Sequence, residues 1–530
     1  MRERMFIGGL AVLFFVAYCW FGATSPQIFN SPDEAANYFF VERLAKNGDF
    51  FVSESLNHFL ENRVHPRSIS YNGVSLVPQG FIGLPLLYGW IARLFSLGII
   101  KFITPLLAVF GALAFYGIIK KIFDKKIALL SFILLILFPV FWYYASRALY
   151  PNIPFVSLLL IASYAGITGA LSKSGKKVQL LIFSFALGAA LIFRPVEALW
   201  IVPIILALVF IYRKEISPMK VVYSILILGF LALPILANNY FLYGNILETG
   251  YTLNSAVDYS ASQFNFIEIK NKILPYGLHP RAIWNNAYYF LIKYFWWYSI
   301  PAILGFLVWV FSKKTHVQKM YSLSALLSVG WLAVFYGSGT FADNPNIGRL
   351  TIGDSHFRYW LLIFILGIPF VAVFWQRISK RFKLLLPASI IFVAALSFYS
   401  VYFSLDDGLL SVKNNLEKNY KTKSGVLEIV RPEDVIITAR QDKIFFPERR
   451  VLYAEKINDE NLFSDIIRIN DREFYYYTIG LHQEDLKNVN NFLRIYGLEL
   501  ERIKIFGKEV LYKLIRKNKS IVTLLHCYIV

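Results

Sequence analysis

The chain has 530 residues, of which 57% are hydrophobic, 17% aromatic and only 17% charged. An average soluble protein carries about 25% charged residues, so much of the apolar surface here must face lipid, which excludes a soluble enzyme and a disordered chain. Two cysteines exclude a disulfide scaffold. In a soluble protein, a net charge of +20 would suggest binding to nucleic acid. In a membrane protein, it indicates basic cytoplasmic loops instead, so we expect no nucleic-acid partner.

About eleven apolar runs are long enough for membrane spans, which need roughly 20 residues each. They lie near 5–23, 100–119, 127–145, 153–171, 179–193, 197–212, 219–237, 294–312, 320–337, 359–375 and 384–404. The pattern predicts a polytopic α-helical membrane protein. The shorter run 81–97 contains Pro85 and Arg93, which favours an interfacial or re-entrant helix, with a twelfth span as the alternative.

Lysine and arginine cluster before the first span and after every second span that follows. The positive-inside rule places such clusters in the cytoplasm. The N-terminus is therefore predicted to be cytoplasmic, and the long loops 24–99 and 238–293 are predicted to lie outside. We expect a multi-pass protein of the plasma membrane.

Beyond residue 404 charged residues become frequent, and strand-like runs alternate with helix-like runs. Strands are predicted at 435–438, 450–453, 473–479, 500–506 and 510–515. We therefore predict a transmembrane domain of residues 1–404 and a small soluble α/β domain of residues 405–530 outside the cytoplasm. The acids of the second domain are expected to be ordinary surface charges: Asp406, Asp407, Asp434 and Asp442.

An acidic pair, Asp33 and Glu34, stands shortly after the first span in the segment SPDEAANYFFVERLAKNGDF. Pro32 is favoured at the first position of a helix, and Ser31 is a good N-cap. Acids in a first turn are also favoured by the helix dipole. Two solvated acids with no catalytic role are therefore the alternative interpretation of the pair.

The acidic pair and the following RLAKNGDF resemble the first outer loop of the GT-C glycosyltransferases, in the branch of protein O-mannosyltransferases and lipid A aminoarabinose transferases. Other segments resemble the family in the same order: PQGFIGLPLLYGWIARLFSLG, KKIFDKK, SRALYPNIP, FRPVEALW and HFRYWLLIFILGIPF. The ordered resemblance covers roughly residues 5–404. It implies an enzyme that transfers a sugar, with inversion, from a polyprenyl phosphate to a lipid, glycan or protein at the outer membrane surface.

The resemblance implies that Asp33 is the catalytic base, while Glu34 positions substrate or binds a metal. The departing phosphate needs cationic donors, and arginine offers paired hydrogen bonds to phosphate oxygens. Candidate substrate-binding residues lie at outer span ends and in the first long loop: Arg147, Arg194, His356, Arg358, His65 and Arg67. Of these, Arg358 and His356 are the preferred phosphate pair. The alternative is that such arginines extend toward lipid headgroups.

Many relatives have a second acid in the second outer loop, but SRALYPNIP contains none. The missing acid argues against a divalent-metal site built from two loops. Mg²⁺ or Mn²⁺ stays open as a cofactor only if Asp343 or Asp354 is the substitute ligand. The missing acid also leaves open a non-catalytic relative that binds lipid-linked glycans.

A transporter or flippase is the alternative from another functional class. Such proteins place ionisable residues in the middle of the membrane and break their helices at the binding site. The predicted spans here almost lack Asp, Glu, Lys and Arg. The sequence therefore favours chemistry at the membrane surface over a transport path.

Overall fold

The computed structural model describes residues 2–253, 273–341, 350–404, 406–454, 457 and 459–517. The helices are, in chain order, α1 (Arg2–Thr24), α2 (Pro32–Asn47), α3 (Gly83–Leu94), α4 (Ile100–Ile122), α5 (Lys125–Leu137), α6 (Pro139–Ser146), α7 (Asn152–Ile167), α8 (Lys177–Phe193), α9 (Ala198–Tyr212), α10 (Pro218–Tyr243), α11 (Gly250–Leu253), α12 (Pro280–Asn286), α13 (Trp296–Val310), α14 (His316–Gly337), α15 (Ser355–Tyr359), α16 (Leu361–Ser379), α17 (Leu385–Phe403), α18 (Leu409–Leu427), α19 (Asp442–Phe445), α20 (Glu460–Ile466) and α21 (Gln483–Arg494). The strands are β1 (Val52–Ser53), β2 (Ile69–Tyr71), β3 (Ser75–Pro78), β4 (Val435–Thr438), β5 (Arg450–Tyr453), β6 (Phe474–Ile479), β7 (Leu498–Phe506) and β8 (Glu509–Arg516).

Residue contacts divide the chain into two compact units. Unit 1 consists of Met1–Ser25, Phe81–Asn238 and Ala256–Lys413. Unit 2 consists of Pro26–Gly80, Asn239–Ser255 and Asn414–Val530. Unit 2 thus joins the first long loop to the C-terminal segment. The functional domains predicted from sequence, with their boundary after residue 404, stay a prediction.

Seven of the described helices are long and apolar enough to cross a membrane: α1, α4, α9, α10, α14, α16 and α17. The α9 span is counted from Pro195 to Tyr212, because a short 3-10 turn precedes α9 without a break, and it then has 18 residues. Two bent pairs, α5 with α6 and Pro280–Lys293 with α13, raise the number of candidate spans to nine. The chain is a multi-pass helical membrane protein, as predicted. The predicted number of about eleven spans is too high by this measure, because α7 and α8 have only 16 and 17 residues.

The helix α3 occupies most of the run 81–97 and has 12 residues. At 1.5 Å per residue it is about 18 Å long, which is too short to cross a hydrocarbon layer of about 30 Å as a helix. The described helix therefore does not provide a twelfth span.

The bend between α5 and α6 directs the chain toward one of the predicted phosphate ligands. Pro139 lacks an N–H group and disfavours helical backbone at Phe138, so the two helices meet at 52°. The Phe138 ring fills the break by packing on Phe295 at 5.1 Å and on Phe364 at 4.9 Å between ring centroids. The redirected helix α6 ends immediately before Arg147.

Gly305 marks the close approach of α13 to α16. A Cβ atom at Gly305 would overlap the carbonyl oxygen of Phe370, whereas a Cβ at Gly330 in α14 would have no neighbour within 4 Å. Small residues permit such close helix contacts in membranes. Gly305→Ala is expected to destabilise the protein by about 1–3 kcal/mol. Gly330→Ala is the control and should be neutral or stabilising. Thermal unfolding in nanodiscs measures both, and equal effects would contradict this account of the contact.

The basic loops of unit 1 contact one another. Lys125 at the start of α5 forms a 2.5 Å ion pair with Glu3 at the start of α1. Lys120 near the end of α4 and Gln179 near the start of α8 line one groove of about 930 Å³. The helices that begin at these loops, α5 with α6 and α8, end next to two of the candidate arginines. The side of the membrane that each end faces stays a prediction.

The C-terminal part of unit 2 is a five-stranded mixed sheet in the order β5-β4-β6-β8-β7. β4 pairs in parallel with β5 and β6, while β8 is antiparallel to β6 and β7. Side chains alternate between the faces of a strand, so Val435 and Ile437 enter one buried cluster and Ile436 another. The predicted small α/β domain is confirmed.

The loop between α1 and α3 is built onto this sheet. Leu56, Leu60 and Val64 belong to the same buried cluster as Val435 and Ile437. A three-stranded sheet, in the order β1-β3-β2, orders the rest of the loop. The first long loop and the C-terminal sheet therefore share one hydrophobic core, which the sequence alone did not indicate.

Candidate active site

Two predicted phosphate ligands, Arg147 and Arg358, lie together in unit 1. Their guanidinium carbons are 4.9 and 4.8 Å from the centroid of the Tyr150 ring. The side-chain amide of Asn152 donates to the Arg358 carbonyl oxygen at 3.2 Å, and Arg147 Nη1 donates to the Tyr143 hydroxyl at 2.7 Å. The segments SRALYPNIP and HFRYW, which are far apart in sequence, therefore meet in the fold.

A second tyrosine brings in a third predicted ligand. The guanidinium carbons of Arg194 and Arg358 are both 5.2 Å from the centroid of the Tyr359 ring. The Tyr336 ring stacks on Tyr359 at 4.6 Å. Arginine favours such positions over aromatic faces. Together with Arg147, three guanidinium groups share two tyrosine rings, and this concentration of positive charge suits a phosphate group.

Arg194 is also held by a buried carboxylate. Its Nη2 atom is 2.7 Å from Glu197 Oε1, and the same oxygen accepts a 2.6 Å hydrogen bond from the Tyr336 hydroxyl. The indole of Trp200 donates to the other oxygen of Glu197. Glu197 therefore balances the charge of Arg194 and fixes it in place.

Glu197→Gln is expected to lower the free energy of unfolding by about 3–5 kcal/mol, because it leaves the buried Arg194 guanidinium uncompensated. Thermal unfolding of the purified protein measures the change. Glu484→Gln, at an exposed position of α21, is the control and should change stability by less than about 1 kcal/mol. A stable Glu197→Gln variant would contradict the structural role of this ion pair.

His356 lies in the same short helix, α15, as Arg358. Its ring stacks on Phe290 at 4.4 Å and contacts Phe341 edge-on at 4.8 Å. Asp354, at the N-cap of this helix, accepts a 2.8 Å hydrogen bond from the backbone N–H of Thr351. The two members of the preferred phosphate pair thus share a helix, while their rings and guanidinium groups contact different aromatic side chains.

The acidic pair lies in unit 2, in the first turn of α2. Ser31 caps this helix as predicted, with its hydroxyl accepting a 3.2 Å hydrogen bond from the Asp33 N–H. Asp33 Oδ1 accepts a 2.8 Å hydrogen bond from the Ser68 hydroxyl. Glu34 is only 4% exposed, so the alternative of two solvated acids does not hold for this residue.

The other two predicted substrate-binding residues, His65 and Arg67, also lie in unit 2. Arg67 donates to both carboxylate oxygens of Asp442, with its Nη2 atom 2.6 Å from Oδ1. Burial lowers the pKa of His65 below its usual value, so this ring adds no positive charge at neutral pH. Their predicted contact with substrate stays a prediction.

Asp442 and Asp434 correct the expectation that the acids of the C-terminal domain are surface charges. Both are fully buried. Buried carboxylates persist where they are paired and hydrogen-bonded, and here Arg67 and Arg431 provide the partners. Sequence composition did not reveal these partners, because one of them lies 375 positions away.

The described residues do not form a site that fits a divalent metal ion. Among them, no group of three or more His, Cys, Asp or Glu side chains comes together. Asp33 and Glu34 are consecutive in a helix, and consecutive helical residues do not face each other. Asp343 lies outside the described residues.

Sequence analysis missed two tyrosines and one acid of this cluster. Tyr150 stands three residues after Arg147 in SRALYPNIP, and Tyr359 directly follows Arg358. Glu197 stands three residues after Arg194 in FRPVEALW. In each motif an aromatic or acidic residue stands within three positions of the arginine, and this proximity could have identified the partner of the arginine.

A family model matches the part of the chain that contains two of the three arginines. Residues 84–238 match the family of dolichyl-phosphate-mannose-protein mannosyltransferases. This segment runs from α3 into α10 and includes Arg147 and Arg194. This part of the chain is similar to the GT-C membrane glycosyltransferases. No curated protein sequence matches the chain.

Solved structures share its fold at low sequence identity. ArnT from Cupriavidus metallidurans in the apo state is 11% identical, with a TM-score of 0.55 over 96% of this chain and 98% of that one. The same ArnT bound to undecaprenyl phosphate is 9% identical, with a TM-score of 0.51 over the same shares. The oligosaccharyltransferase AglB from Archaeoglobus fulgidus, in complex with an inhibitory peptide and a dolichol-phosphate, is 9% identical, with a TM-score of 0.52 over 89% of this chain and 69% of that one.

Proposed function

We propose that the protein is a GT-C glycosyltransferase. It would transfer a sugar from a polyprenyl phosphate to a hydroxyl of a lipid, glycan or protein on the extracytoplasmic side of the plasma membrane. The observation that carries the proposal is the cluster of Arg147, Arg194 and Arg358 on the rings of Tyr150 and Tyr359. The similar ArnT and AglB structures contain undecaprenyl phosphate and a dolichol-phosphate, which supports the same donor class here.

The reaction is a single displacement at the anomeric carbon of the sugar. The acceptor oxygen attacks this carbon as the bond to the phosphate oxygen breaks, so the anomeric configuration inverts. The electron pair leaves with the polyprenyl phosphate, and Asp33 takes the acceptor proton as general base. The arginines stabilise the negative charge on the departing phosphate, to which planar guanidinium groups donate paired hydrogen bonds.

The assignment of Asp33 as the base is supported by the acidic motif and by its place in the first turn of α2. The hydrogen bond from Ser68 restrains the carboxylate, as a base that must meet a hydroxyl at about 3 Å requires. Glu34 is proposed to position substrate from the same turn.

The proposal is tested with purified protein in nanodiscs, supplied with polyprenyl phosphates that carry different radiolabelled sugars. Release of polyprenyl phosphate, with label on an added acceptor of inverted configuration, is the expected result. Donor binding with no release above a heat-inactivated control would instead identify a non-catalytic binding protein. Movement of the intact donor across proteoliposomes, without covalent transfer, would identify a flippase.

A further inference from the structure

Unit 2 contains an ion pair between a partly exposed arginine, Arg67, and a buried carboxylate, Asp442, which links the first loop to the C-terminal sheet. The backbone N–H of Arg67 donates to Asp442 Oδ2 at 2.7 Å, and the guanidinium donates to both oxygens of the same carboxylate. Arg67 Nη2 also donates to the carbonyl oxygen of Arg440 at 2.8 Å. One residue of the loop is thus held through both its backbone and its side chain.

Asp442 is a rigid partner for this contact. It begins the short helix α19, and the following Ile444 and Phe445 belong to a buried cluster of the sheet. The Phe446 ring packs edge-on against Phe39 of α2 at 4.6 Å. The same short segment therefore contacts both the turn around Arg67 and the helix that carries the acidic pair.

The residue after Arg67 has an unusual backbone. Ser68 has a φ angle of 62°, a left-handed conformation that is costly for any residue except glycine and that persists only where the surroundings impose it. From this conformation the Ser68 hydroxyl donates to Asp33 Oδ1 at 2.8 Å. The backbone strain at this turn and the hydrogen bond to the proposed base occur at one residue.

We propose that Ser68 and Asp442 are positioning residues for Asp33. Asp442 fixes Arg67, the fixed turn holds Ser68 in its left-handed conformation, and the Ser68 hydroxyl sets the plane of the Asp33 carboxylate. This inference rests on the proposed function, in which Asp33 is the base. Under this proposal the C-terminal segment contributes to turnover without contacting the substrate, because Asp442 orients Asp33 through Arg67 and Ser68.

The first test replaces Ser68 in the full-length protein with alanine and with glycine. Both variants lose the hydroxyl, but glycine adopts a positive φ without strain. Each is expected to lower kcat by about 10- to 100-fold with the donor KM unchanged, and Ser68→Gly should unfold no earlier than the unmodified protein. Normal kcat in Ser68→Gly would overturn the role of the hydroxyl.

The second test replaces Asp442 with asparagine, which keeps the shape of the side chain and removes its charge. The expected result is again a lower kcat with an unchanged donor KM. Arg63→Gln is the matched control, because Arg63 forms another ion pair between the loop and the C-terminal segment, with Asp459 at 2.7 Å, and should leave kcat unchanged. Equal loss of kcat in both variants would mean that general loosening of unit 2 is responsible, and would overturn the proposal.

A double variant separates this inference from the proposed function. If Ser68 acts through Asp33, Ser68→Gly should cause no further loss of kcat in an Asp33→Asn background. An additive loss would overturn the positioning role even if Asp33 is the base. Full activity of the Asp33→Asn single variant would instead overturn the proposed function itself.

Discussion

Asp33→Asn is expected to lower kcat for sugar transfer by about 10²- to 10⁴-fold, the usual contribution of a general base. Asparagine keeps the size of the side chain and can still accept from the Ser68 hydroxyl, so α2 and its turn should keep their geometry. The affinity for polyprenyl phosphate should not change, because the arginine cluster is intact. Release of polyprenyl phosphate and equilibrium binding of the lipid, measured on one preparation, check both expectations.

Glu42→Gln is the matched control for this substitution. Glu42 lies in the same helix and pairs with Lys46 at 2.7 Å near the surface, a kind of ion pair that contributes little to stability. Its removal should leave turnover unchanged. If Asp33→Asn turns over at the rate of Glu42→Gln, Asp33 is not the base.

Replacing Arg147 and Arg358 together with glutamine is expected to weaken polyprenyl phosphate binding by at least about 100-fold. Hydrogen bonds to charged groups contribute about 1.5–3 kcal/mol each, which corresponds to roughly 10- to 100-fold in Kd for each arginine. Both side chains lie on the Tyr150 ring, so a phosphate bound to one lies within the field of the other. Binding of radiolabelled undecaprenyl phosphate to the purified variant measures the loss.

Arg381→Gln is the control for the arginine cluster. Arg381 is exposed just after α16, in one of the basic clusters, and lies over Phe382. Its replacement should leave the Kd for undecaprenyl phosphate unchanged, because Arg381 is not part of the cluster. If the lipid were held only by general attraction to basic surface residues, this variant would bind it more weakly too. Similar loss of binding in both proteins would mean that the three-arginine cluster is not the phosphate site.

The membrane-spanning part of the fold could be predicted because long apolar runs have few alternatives in lipid. The strands β4, β5 and β6 also matched their predictions closely. The described helices give nine candidate spans where about eleven were predicted, because α7 and α8 have 16 and 17 residues and fall just short of the length of a usual span. The helix α18 was not predicted, since it carries many polar residues and begins only a few positions after the last span.

The candidate site could be predicted in part. Motif order identified Arg147, Arg194 and Arg358, but no sequence rule indicates which rings they share, since one of those contacts joins Arg358 to a tyrosine more than 200 positions away. The partner of Arg67 was missed for the same physical reason. A buried carboxylate such as Asp442 looks like a surface acid in the sequence until the residue that neutralises it is known.

The joint core of unit 2 has a consequence for biosynthesis. Arg67 leaves the ribosome 375 residues before Asp442, which at about 5–20 residues per second is an interval of roughly 20 to 75 s. During that interval Leu56, Leu60 and Val64 lack the strands against which they pack. Until those strands are made the apolar side chains of the loop have no core to enter, and a chain terminated before β4 would leave them open to proteolysis.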